Sequence, residues 1–359
     1  MPTLPDPRCF AAAESEPLLR LATECADVTD ATQRTPLAER LRRELRNQLV
    51  SGRERSLRER IDHVPSPAAG RCLWEAIDQV LSTPEAHAPL AAAVFAIPVV
   101  FVAGGSPGTE VSGVIPEPSR LARVLEAAGA LGRGCNFGLN GALCTRQSLL
   151  GSSFADLFAR LRAVETGAPA RSWELPPAPI TLDDSEEHVE LRFLTGIAVS
   201  GAQAPSLVST AADIARWGMP LARELIAQLG QSGLSLLPIP RPPQGWLGAH
   251  HAGSRAREEL ALQAFVSRAV RAFRSTEADP RVRLTALQPS AIGVRLESQL
   301  NIVHAVSHLV LLHPLDDLPQ VLASMLELFR DCRLDSVELV RSLGSEADFR
   351  RGQIPSRPQ

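Results

Sequence analysis

The sequence predicts an α+β protein, with a helical and mixed αβ N-terminal region followed by a C-terminal α-β-β-β-α-β sheet layer. Three observations carry this expectation. Leu37, Leu41, Leu45 and Leu49 recur at helical spacing, as do Leu262, Val266, Ala269 and Phe273. The run Ile97-Pro98-Val99-Val100-Phe101-Val102 is continuously apolar and β-branched, the pattern of a strand covered on both faces. Val282, Leu284 and Ala286 alternate with other residues, Pro289-Ser290 turn the chain, and Ile292, Val294 and Leu296 alternate back, which predicts a hairpin.

The elements are justified in order. Residues 1–33 form a loosely ordered N-terminus with a short helix around Pro17–Ala26, and 34–170 a helix-rich α/β domain. That domain opens with a helix over Pro36–Val50, and beyond the Ser51-Gly52 break a second helical stretch reaches Ile61. Cys72–Leu81 is a helix, Val94–Ala103 a strand and Val111–Ile115 a second strand. Pro at the first turn and Gly129 at the end bound a helix over Pro118–Ala128. The Gly-rich stretch 129–141 is a loop, and Ser153-Phe-Ala-Asp156 opens a helix to Ala163.

A Pro-rich linker is expected over 171–184, around Glu174-Leu-Pro-Pro-Ala-Pro179, and a second α+β domain over 185–342. In that domain Val189, Leu191 and Phe193 mark a half-buried strand, and Thr210-Ala-Ala-Asp213 caps a helix to Leu229. Leu236–Pro243 is extended, and its Pro240/Pro243 spacing suits either a linker or a groove-binding ligand. His250-His251 fall in a loop. His308–His313 is a strand, Leu318–Cys332 a helix started at Asp316/Asp317, and Val337–Val340 the last strand. The tail 343–359 is polar and expected to be disordered.

Composition excludes chemistry more sharply than it assigns it. There is no lysine and no tyrosine; the 37 Lys+Arg positions are all arginine. A P-loop, a pyridoxal Schiff base, the kinase strand lysine and a Ser-x-x-Lys acyl transferase are therefore ruled out. The same bias toward G/C-rich codons points to a G/C-rich bacterium. The alternative is selection against ubiquitination in a protein delivered into a eukaryotic cell. A net charge of −3 gives no bulk attraction to nucleic acid or an anionic membrane. Six cysteines without a C-x-x-C pair fit reduced thiols in a cytoplasm, and the N-terminus lacks the pattern of a secretory signal. Ala88–Ser106 carries no charge, but a membrane span needs about 20 apolar residues and two prolines interrupt this one.

The candidate catalytic residues fall in two loops, 104–108 and 132–146. Gly104-Gly-Ser106-Pro107-Gly108 matches the esterase elbow motif G-x-S-x-G directly after the strand. Pro107, however, lacks the backbone N–H that the oxyanion hole uses, and no helix follows. Cys135 and Cys144, with Asn136, Asn140 and Arg146, are the reactive or polar groups of the Gly-rich loop, so Cys135, Cys144 and Ser106 are the candidate nucleophiles. Gly132-Arg-Gly134-Cys-Asn-Phe-Gly138 misses the dinucleotide fingerprint by one residue and by context. His304 and His308, four residues apart on a strand, lie about 13 Å from each other, too far to share a metal ion. His188-Val-Glu190 lacks the P-C-x-x-C of zinc deaminases. No cofactor and no metal is expected.

The α-β-β-β-α part of the C-terminal order resembles double-stranded RNA-binding domains, which require cations at the start of the second helix. Asp316 and Asp317 stand there, so RNA binding by that face is not expected.

What remains is a reading by elimination, a non-catalytic cytoplasmic scaffold, adaptor or assembly protein that binds a protein partner. Its candidate interaction residues are Arg42, Arg43 and Arg46, because residues 34–60 hold nine arginines against four glutamates. Pairs such as Glu39–Arg43 and Glu54–Arg58 equally support a solvated helix. The alternative is an unclassified enzyme with a Cys or Ser nucleophile in loops 104–108 or 132–146.

Overall fold

The computed structural model describes residues 17–51, 64, 66–83, 89–131, 135–170, 177–182, 188–201, 205, 211–231, 234–275, 280–287, 291–298 and 305–340. The second helical stretch to Ile61, the Gly132–Gly134 motif, the Thr210 cap, the Pro289-Ser290 turn, His304 and the tail lie outside the described residues. By internal contacts the chain divides after Gly253. The expected linker 171–184 falls inside the first unit.

The first unit begins with three helices. α1 (Pro17–Asp27) buries Leu18, Leu19, Leu21, Ala22 and Cys25. α2 (Ala31–Val50) starts five residues earlier than the sequence predicts, because the Asp30 carboxylate accepts a hydrogen bond from Thr32 N–H at 2.8 Å and fixes the helix end. Pro36 consequently sits inside the helix and forfeits a single backbone bond near its start. Leu41, Leu45 and Leu49 form the expected buried stripe, while Leu37 is partly exposed. α3 (Pro67–Ser82) is capped by Ser66, whose hydroxyl accepts from Ala69 N–H.

A four-stranded antiparallel sheet follows, made of β1 (Ala91–Gly104), β3 (Asn136–Leu139), β5 (His188–Ser200) and β6 (Ser235–Pro240) in the order β3-β5-β1-β6. β1 and β5 are central, and helices cover both their faces, so both are buried along most of their length. β5 is thus more deeply buried than its alternating sequence suggests. On one face Phe95, Ile97, Val99 and Phe101 pack on α4 (Pro118–Ala127) and α7 (Ala211–Leu229), through Leu121, Leu125, Trp217 and Leu221. α3 and α6 (Phe154–Glu165) contact the sheet as well. There the start of α8 (Trp246–Ser275) brings Gly253 against Pro98, Leu191 and Phe193.

Pro98 occupies the middle of a central strand, where its missing N–H should break the ladder. Register explains its tolerance. Pro98 lies opposite Phe193, whose N–H and C=O both bond Cys144 on the far side of β5. The N–H that Pro98 lacks therefore points toward β6. There the chain bows out between Arg241, which donates to Pro98 C=O at 2.8 Å, and Gln244, which pairs with Ala96. The missing donor faces a bulge.

Several predicted loops are structured. The stretch 129–141 contains edge strand β3, with Gly129 at φ +64° closing α4 as expected. Of the expected strand Val111–Ile115 only β2 (Glu110–Val111) is regular; it pairs with β4 (Ile180–Thr181), within the expected linker. Val114 bridges to Ala142. Ser153 opens α6 by accepting from Asp156 N–H, as predicted. Pro240, paired in the sheet, and Pro243, just beyond it, are both buried, which removes the ligand reading of that segment. His250 and His251 lie in α8, not in a loop. Short α5 (Arg146–Gly151) completes the unit.

In the second unit, the remainder of α8 and α9 (Leu318–Asp331) pack on a sheet of β7 (Pro280–Leu287), β8 (Ala291–Ser298), β9 (Ala305–Leu311) and β10 (Val337–Val340), in the order β10-β7-β8-β9. β10 runs parallel to β7 after the α9 crossover, and the other pairs are antiparallel. The α-β-β-β-α-β order is as predicted, and the core joins Leu262, Val266 and Phe273 to Val282, Val294, Met325 and Phe329. Arg283, itself buried, bridges Glu297 and Glu338 at 3.0 Å each. Asp317 is the first residue before α9 but its side chain makes no capping bond.

Candidate functional site

α1, α2 and α3 enclose a cleft of about 350 Å³ lined by Cys25, Arg34, Arg42, Cys72, Glu75 and Gln79, among others. Its walls follow from the sequence. The apolar faces of the three helices meet below it through Leu18, Leu41, Leu45, Leu73 and Ile77, and each places polar or sulfur-bearing residues at the rim. Arg34, in the first turns of α2, donates from Nη2 to the Cys72 sulfur at 3.4 Å and pairs with Glu75 at 3.6 Å. Arg42, two turns further on, donates from Nη1 to Gln79 Oε1 at 2.9 Å and lies 3.5 Å from Glu39. Burial, reinforced by the neighbouring Cys72, pushes the Cys25 thiol above its ordinary pKa. The hydrogen bond to Cys72 raises that of Arg34.

The three predicted interaction arginines do not share one face. Arg42 is turned inward on Gln79. Arg46 is partly buried, and its Nε takes no hydrogen bond among the described residues. Arg43 is exposed, in a stripe with Pro36, Arg40, Asn47 and Val50, the last 75% exposed.

The candidate nucleophiles are dispersed. Ser106 is exposed in a turn where its C=O accepts from Thr109 N–H at 3.1 Å and Gly108 takes φ +79°. The chain then enters β2, so the strand-turn-helix context of an esterase elbow is missing. Cys135 is buried, and burial raises its pKa. Cys144 is wholly buried beside β5, donates to Phe193 C=O at 3.6 Å, and is pushed up to about 12 by burial. A thiol so held supplies almost no thiolate at neutral pH. Asn136 and Arg146 point to solvent, while Asn140 is buried with its amide nitrogen unpartnered among the described residues.

The histidines likewise do not converge. His188 and Glu190 are 3.3 Å apart, and His308 stacks on Phe265 at 5.0 Å between centroids. No group of three or more potential metal ligands occurs among the described residues. No helix among them is long and apolar enough to cross a membrane, and the apolar stretch around β1 is a core strand.

Two polar groups escaped the sequence reading. Asp78, on α3, accepts hydrogen bonds from Leu247 and Gly248 N–H at 2.6 Å each and so caps α8. Burial raises its pKa to about 6 against the pull of those two bonds. Arg192, buried on β5, donates to Ala178 C=O at 3.2 Å and Pro179 C=O at 2.7 Å and also pairs with Glu190, pinning the segment before β4. Neither residue has a local sequence signal, since each acts on chain distant from it. No family model, no curated protein and no solved structure matches this chain.

Proposed function

We propose that the protein is a non-catalytic cytoplasmic scaffold, adaptor or assembly protein, and that it engages an acidic protein surface through the outward face of α2. One observation carries this reading. Arg40 and Arg43 stand exposed side by side, one turn apart, between the exposed Pro36 and Val50. Two unburied guanidiniums flanked by apolar side chains suit an interface that combines apolar contact with carboxylate recognition. Burial of Cys135 and Cys144 supports the non-catalytic side of the reading. Arg42, which the sequence grouped with this surface, contributes by bracing α2 against α3.

The test places a photo-crosslinking residue at position 43 in the producing cell, identifies the captured protein and measures its affinity in purified form. Charge reversal at both Arg40 and Arg43 is expected to weaken binding about tenfold or more, mainly through slower association. An unchanged affinity, or no capture above that at a control surface position, refutes the proposal. Stoichiometric fluorophosphonate labelling of Ser106 in folded protein favours the enzyme instead.

A further inference from the structure

We infer that Cys25 and Cys72 form a thiol-oxidation site, in which a peroxide entering the α1–α2–α3 cleft converts the pair to an intramolecular disulfide with Arg34 assisting attack by the Cys72 sulfur. The two cysteines come from different helices, yet both line the same cleft, and α1 packs directly on α3. Each is buried as a residue, at 1% and 6% exposure, so bulky reagents are excluded while the cleft admits a molecule the size of hydrogen peroxide. Arg34 distinguishes the two sulfurs. Its guanidinium donates to the Cys72 sulfur at 3.4 Å and is placed to assist attack by that sulfur. Among the described residues no such donor reaches Cys25, and burial keeps it a thiol, the role of a resolving partner. Among the charged groups near Cys25, Arg34 and Arg42 lower its pKa and Glu24 raises it, while Glu75 pairs with Arg34 at 3.6 Å.

The chemistry balances without a cofactor. The Cys72 sulfur attacks one peroxide oxygen, an S–O bond forms, the O–O bond breaks, and hydroxide leaves as water with the thiol proton. The Cys25 sulfur then attacks the sulfenic sulfur, the S–S bond forms, the S–O bond breaks, and a second water leaves. Two thiols lose two electrons and one peroxide becomes two waters. The product ties α1 to α3 and removes the sulfur acceptor from Arg34.

The experiment treats reduced full-length protein with hydrogen peroxide, blocks remaining thiols with iodoacetamide and maps the peptides by mass spectrometry. The expected result is a cross-linked pair containing Cys25 and Cys72, reversed by dithiothreitol. Arg34→Gln is expected to slow its formation about tenfold, the order expected for loss of one charge-assisted contact to a thiolate. Peroxide that leaves both thiols free, a bond from either cysteine to Cys9 or Cys135, over-oxidation of Cys72 without a cross-link, or an unchanged rate in Arg34→Gln overturns the proposal. The primary readout uses the unmodified chain, so it does not depend on any variant folding.

Discussion

Replacing Asp78 tests whether one carboxylate on α3 sets the start of α8. The first turn of a helix carries backbone N–H groups without intrahelical partners, and here Leu247 and Gly248 N–H both end on Asp78 at 2.6 Å. Gly245 and Gly248 make room for it, because a Cβ at either would come within 2.9–3.0 Å of the carboxylate. Asp78→Ala orphans both donors and leaves a small void. With about 1–3 kcal/mol for each unsatisfied buried donor, the expected loss is about 3 kcal/mol. Asp78→Asn keeps an acceptor oxygen and should cost only about 1 kcal/mol near neutral pH.

The pH dependence is diagnostic. The folded-state pKa of Asp78, about 6, lies above its ordinary value of 3.8, so the fold binds the proton more tightly than the unfolded chain does. Its contribution to stability is therefore fully present below about pH 4 and is lost as pH rises through about 6. Since Asn does not titrate, the gap between wild type and Asp78→Asn should widen by roughly 2 kcal/mol between about pH 7.5 and about pH 4.5. Urea unfolding followed by circular dichroism at both pH values gives these numbers. A loss below about 0.5 kcal/mol for Asp78→Ala refutes the capping argument, and a gap that stays flat with pH refutes the burial-raised pKa.

Other consequences follow from the same geometry. Gly138→Ala should destabilise the first unit by about 2 kcal/mol or more, because its Cβ would lie 2.0 Å from Ala170 C=O; thermal unfolding measures this. Cys144 should resist iodoacetamide at about pH 8 in the native state and react once urea is added, since burial pushes its thiol up to about 12; peptide mapping reads both states. His308 titrates in the opposite sense to Asp78. Burial, helped by Arg257 and Arg268, lowers its pKa from 6.5 to about 4, so its stabilising contribution is present above about pH 6.5 and is lost as pH falls through about 4. His308→Phe, which keeps a ring against Phe265, should remove that acid-sensitive component of unfolding in acid titrations.

A helix start that the sequence revealed is that of α6, whose cap Ser153 stands in a local Ser-x-x-Asp pattern. Asp30 and Ser66 also cap from the position just before the helix, but the sequence predicts those helices to begin only at Pro36 and Cys72. The start of α8 leaves no local signal because its cap, Asp78, lies about 170 residues earlier in the chain, so the sequence places His250 and His251 in a loop. β3 was hidden for a related reason. Its glycines suggested a loop, whereas Gly138 is required where Ala170 crosses the strand, and Gly196 opposite Leu139 in β5 accommodates Phe95. The candidate site was half visible. Arg-rich α2 stood out by composition, but nothing local separates Arg42, bound to Gln79, from exposed Arg43.

By itself the sequence determined the α+β class, the hairpin and element order of the second unit, and the absence of every chemistry that requires lysine. Those conclusions depend on periodicity and residue type, which are properties of neighbouring positions. Only the tertiary structure decided that Cys25 and Cys72 share a cleft, that Pro98 faces a bulge, and that Cys144 is sealed against Phe193. Each of these depends on which distant segments meet, because burial and hydrogen-bond partnership are set by packing across the chain and not by spacing along it.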